Sequence, residues 1–129
     1  MRALILLLVL IGCGHRQEEF HFPSELAGGW RLQGVPQESL SEAWPDARTH
    51  GLQGLTVARY QGEGDVRVFA HRMSSTAGAF ETLQRWKAES GSLAFQYGMF
   101  FMMVRSPALD QSGLNRFAGE LKRSFPSKQ

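Results

Sequence analysis

The 129-residue chain has one cysteine, Cys13, and only two tyrosines, Tyr60 and Tyr97. A single thiol cannot close an intramolecular disulfide, so packing and hydrogen bonds must hold any domain together. There is no run of lysine and arginine. The 14 basic and 12 acidic side chains are scattered and give a formal charge of +2. Nucleic acid is not expected as a partner, because a phosphate backbone calls for a clustered basic face. The apolar run at the start, Ala3 to Gly12, falls well short of the roughly 20 residues that span a bilayer as a helix. Motifs of enzyme chemistry are also missing. Gly62-Glu63-Gly64 lacks the third glycine and following helix of a dinucleotide site, and Ser74-Ser75-Thr76 lacks the glycines that flank a nucleophile elbow.

What the short apolar run does have is a defined end. Leu10-Ile11-Gly12-Cys13 resembles the lipobox of a bacterial lipoprotein signal peptide. That resemblance implies a diacylglyceryl group on the Cys13 sulfur, cleavage between Gly12 and Cys13, and acylation of the new amine. One acyl chain binds a membrane marginally, whereas two anchor stably. Residues 1–12 are therefore read as signal peptide, and the membrane is the first expected partner, through Cys13. Gly14 stands where an aspartate would be the familiar inner-membrane retention signal, so the expected location is the outer membrane, facing the periplasm. An ordinary secretory signal cut elsewhere is the alternative.

Residues 13–25 read as a lipidated tether: His15 to Glu19 are polar without apolar period, and Pro23 interrupts any helix. Residues 26–129 read as a single α+β domain. A short strand is expected at Trp30 to Gln33. A helical stretch should follow over Gln37 to Arg48, with Leu40, Ala43 and Trp44 at helical spacing and Pro45 ending it, breaking it or opening a second turn. Strands at Leu55 to Gln61 and Asp65 to Met73 flank turn chemistry at Gly62 to Asp65. Ser74 to Thr76 cap a helix with an Ala77, Phe80, Leu83, Trp86 stripe. Ser92 to Tyr97 and Met99 to Arg105 form the next pair of strands. Ser106-Pro107 opens a last helix, where Leu114, Phe117, Ala118, Leu121 and Phe125 lie on one face. The expectation is an antiparallel sheet of four to five strands with two to three helices packed on it, in β-β-α-β-β-α order after a short strand and helix.

The unbroken apolar strand after Gly98 needs cover on both sides. Phe100, Met102 and Val104 point one way; Phe101 and Met103 point the other. The two longer helices are expected to share one side, and the segment around Trp30, Leu40 and Trp44 to cover the other. A shallow apolar groove bounded by Trp30, Trp44, Phe100 and Phe101 should remain at one edge.

The sequence of Gly29-Trp30, His50-Gly51-Leu52, a strand ending at Tyr60, a strand running into Met73-Ser74, a helix with Ala79-Phe80, and Tyr97-Gly98 leading to Phe100-Phe101 resembles a bacterial domain-of-unknown-function family, the one numbered 6599. The resemblance covers about Leu26 to Pro107. It implies this element order and an exported location, and it implies no catalytic residue.

Of the four histidines, His15 and His21 lie in the tether, and none of the four is spaced from another ligand as a metal motif requires. His71 is expected to be solvated or hydrogen-bonded on a strand. Neither metal nor cofactor is expected. The reading is a lipid-anchored cell-envelope protein, a non-catalytic binding or interaction module whose partner is an envelope protein or an apolar ligand. The alternative is a lipid-anchored hydrolase or metalloenzyme with a site assembled around His50 and His71.

Overall fold

The computed structural model describes residues 21–126. The lipobox residues Leu10, Ile11, Gly12 and Cys13 and the first part of the tether lie outside them. The strands are β1 (Glu25–Leu26), β2 (Trp30–Leu32), β3 (Gln37–Glu38), β4 (Leu52–Gln61), β5 (Asp65–Met73), β6 (Ser92–Tyr97) and β7 (Phe100–Arg105). The helices are α1 (Pro45–Arg48), α2 (Thr76–Arg85) and α3 (Gln111–Ser124), and a 3-10 turn spans Leu40–Glu42. One antiparallel sheet runs β1-β2-β4-β5-β7-β6, with β3 also paired to β4.

The class is α+β, but the sheet is larger than the four to five strands expected; it has seven. Both additions are two-residue strands, too short to carry a readable period. β1 lies where the tether was expected to end. Phe22 already packs against the core there, and the Tyr60 hydroxyl donates to the Pro23 carbonyl at 2.6 Å. β3 replaces the start of the helix expected from Gln37. β2 pairs only Tyr60 and Gln61 of β4, which leaves the earlier part of that long strand to receive Gln37 and Glu38. The stretch then breaks into the 3-10 turn and one turn of α1, with Pro45 in its first turn. Proline needs no amide partner there.

The two longer helices do not share a side. α3 covers the face of Ala58, Tyr60, Val66, Val68, Phe100, Met102 and Val104. α1 and α2 cover the opposite face, where Leu55, Val57, Phe69, Met73, Phe101 and Met103 meet Ala47 and Ala79. β5 and β7 are apolar on both faces, so each face required its own helix. α2 is also turned by about one residue from its expected stripe: Gly78, Ala79 and Thr82 are buried, while Phe80 is half exposed. Gly78 presses on the His50 carbonyl, an approach that no side chain would allow, and the Thr82 hydroxyl donates to the Gly78 carbonyl at 2.9 Å. Ser75 caps α2 by accepting from the Gly78 amide.

The last helix starts later than expected. Asp110, not Ser106, is its N-cap and accepts from the Gly113 amide at 2.8 Å. Ser106 instead donates to the Asp65 carbonyl at 2.6 Å and accepts from the amides of Ala108 and Leu109. The hydroxyl thereby builds a turn that lets the chain pass from β7 around to the other face.

Candidate binding face

The four residues expected to line one apolar groove are divided between the two cores. Trp30 is buried edge-on against Phe117, 5.0 Å between ring centres, and lies over Gly62. Phe100 belongs to the same core, whereas Phe101 and Trp44 belong to the one beneath α1 and α2. Alternation along β7 sends Phe100 and Phe101 to opposite sides, so no groove contains both.

Of the two alternatives for His71, solvated or hydrogen-bonded, the structure shows the second, with the ring fully buried. Its Nε2 accepts from the Trp44 amide at 2.9 Å, and its Nδ1 faces the carbonyls of Phe101 at 3.1 Å and Phe69 at 3.3 Å. Those partners assign the proton to Nδ1. Desolvation pushes its pKa down to about 4, against the smaller opposing effect of the two carbonyls. His50 is half-buried just beyond α1, with Nδ1 at 2.7 Å from the Asp46 carbonyl of that helix. Among the described residues no three His, Cys, Asp or Glu side chains are grouped to hold a metal ion.

Open grooves lie on the surface, two of them on opposite faces of the sheet. One, of about 510 Å³, is lined by Phe95, Tyr97, Phe125, Lys122 and Arg123 where α3 ends over β6. Lys122 sits 4.8 Å above the Phe95 ring there. The other, of about 320 Å³, lies between β3 and the middle of the sheet. Its walls include Gln37, Ser39, Glu42, Val57, Arg59 and Arg67.

That second groove adjoins a feature absent from the sequence expectations. Arg59 stands directly opposite Arg67 across β4 and β5, and Arg67 directly opposite Arg105 across β5 and β7. Opposed residues in an antiparallel pair point to the same face, so three arginines form one row. Arg67 and Arg105 lie over the Phe69 ring at 5.0 and 5.8 Å. Arg67 pairs with Glu42 at 2.8 Å and Arg105 with Glu89 at 3.5 Å. The Ser39 hydroxyl, first, and Arg67, second, hold the Glu42 carboxyl below its ordinary pKa. The side chain of Arg59 is exposed and has no ion pair or hydrogen bond among the described residues. A signal for the row did exist. A tight hairpin centred on Glu63 pairs Gln61 with Asp65, and two residues further out it must pair Arg59 with Arg67.

No helix among the described residues is long and apolar enough to cross a membrane. Comparison with protein-family models, with curated proteins and with solved structures gives no match.

Proposed function

We propose that this chain is a lipid-anchored binding module of a bacterial cell envelope, attached through Cys13 and holding its α+β domain on the periplasmic side of the outer membrane. The observation that carries the reading is Leu10-Ile11-Gly12-Cys13 at the end of a short apolar run, a few residues ahead of Phe22, where the chain joins the core. Open grooves on both faces of the sheet favour binding as the domain's role. His71 spends both ring nitrogens on backbone groups, so no observation favours the hydrolase or metalloenzyme alternative around His50 and His71. With no matching family model, the resemblance to family 6599 adds nothing to this reading.

The test is fractionation and acyl labelling in a diderm bacterial host. Wild-type protein should enter the outer-membrane fraction and take up a labelled fatty acid. Cys13→Ser should lose the label and leave that fraction. Equal labelling and equal fractionation of the two would end the proposal.

A further inference from the structure

We infer that Arg59 and Arg67 form a clamp for an oxyanion, the phosphate or carboxylate group of a ligand seated in the groove beside β3. The inference deepens the binding-module reading by naming the ligand chemistry of one groove, and it rests on that reading only in taking binding as the domain's role.

Directly opposed residues of an antiparallel pair hold their Cβ atoms about 5 Å apart, and like charges in that position destabilise the sheet. Here the arrangement occurs twice in succession, Arg59 with Arg67 and Arg67 with Arg105. Two carboxylates answer three guanidinium groups: Glu42 on Arg67 and Glu89 on Arg105. Glu38 also lines the groove, but it makes no ion pair with the row among the described residues, and its register partner Thr56 lies on the other face from Val57 and Arg59. The row therefore keeps one guanidinium without an ion pair, Arg59, on the wall of the groove.

The geometry suits a single oxyanion. Two guanidinium groups rising from opposed positions can each donate to one carboxylate or phosphate, and such charge-assisted bonds are stronger than neutral ones. Arg67 is held from below by the Phe69 ring, so half of the clamp is already positioned. The Arg67–Glu42 pair does not block it. Both side chains are about half exposed, at 45% and 41%, and an exposed pair of this kind exchanges readily for another anion. An anion between Arg59 and Arg67 would also relieve the repulsion that the register imposes.

The experiment is thermal unfolding of the full chain in detergent, titrated with inorganic phosphate, with succinate, or with phosphatidylglycerol in mixed micelles. Sodium chloride at matched ionic strength and mixed micelles of phosphatidylcholine are the controls for screening and for lipid itself. The melting temperature should rise with the logarithm of oxyanion concentration, as mass action requires, and the rise should vanish in Arg59→Gln. Without added anion, Arg59→Gln should melt no lower than wild type, because it removes a like-charge neighbour; Arg59→Lys should keep a reduced response. A rise with phosphate or succinate assigns a soluble ligand, and a rise confined to phosphatidylglycerol assigns a headgroup. Equal shifts in oxyanion and chloride, or an undiminished shift in Arg59→Gln, would overturn the inference. Either failure would leave Cys13 labelling untouched, so it is distinguishable from failure of the anchor.

Discussion

The backbone amide of Trp44 donates to Nε2 of His71 across 2.9 Å, which ties the residue that opens α1 to the centre of the sheet. Trp44 precedes Pro45, so the hydrogen bond sits where the chain turns into the helix, and an imidazole fills an acceptor role that solvent cannot reach. The ring must be neutral for this, since a protonated imidazole has no acceptor nitrogen.

Acid should break that link. The folded pKa of His71 is about 4, against an ordinary value of 6.5. Between those two values the unfolded chain binds the proton that the folded chain refuses, so stability falls as the pH is lowered from about 6.5 to about 4. The loss attributable to His71 is about 3 kcal/mol by linkage. Urea midpoints measured across this window should show a steeper acid loss for wild type than for His71→Gln. Parallel profiles would remove His71 as the cause.

Carboxylate substitutions on the apolar strand β7 give a second expectation. Phe100 is 5% exposed and Phe101 0%, and each lies under a different helix. Phe100→Asp and Phe101→Asp should each destabilise the domain by several kcal/mol, because each buries an unpaired charge. Denaturant unfolding decides it: an unchanged midpoint in either variant would mean that its face is open to water.

The five longer strands were readable because each has an alternating or wholly apolar run bounded by turn residues. Gly62 to Asp65 between β4 and β5 and Gly98 between β6 and β7 are where the chain turns back. β1 and β3 were not readable, since a two-residue strand has no period; β1 exists only through its pairing with β2, and β3 only because β2 leaves part of the β4 edge unfilled. The sides taken by α2 and α3 depend on three-dimensional demand from β5 and β7, which no local pattern encodes. Trp30 and Phe100 looked like groove residues for the same reason that they proved to be core: exposure cannot be told from composition. The arginine row was encoded in hairpin register, yet the pairing becomes visible only when the hairpin is laid out residue against residue.

Two glycine substitutions should act in opposite directions. Replacing a helical glycine by alanine ordinarily stabilises by about 1 kcal/mol. At Gly119 the new methyl would meet only the Arg123 guanidinium, at an ordinary 3.4 Å, so Gly119→Ala should raise the melting temperature. At Gly78 it would collide with the His50 backbone carbonyl, which has no freedom to yield. Gly78→Ala should therefore lower the melting temperature despite the better propensity. A gain at both sites would show that α2 can shift away from His50 at little cost.

The edge-on contact of Trp30 with Phe117 joins the second strand to the last helix, nearly the whole described chain apart. Tyr60 leans on the same Phe117 ring, 5.4 Å between centres, so the core on that face has no lid until α3 arrives. During synthesis the β4–β5 hairpin can form early, but its apolar side must wait for α3, which follows it in the chain. Such a chain remains threadable while it is growing. It closes only once α3 has emerged to cover that face, and chaperone dependence should be concentrated in the interval before it does.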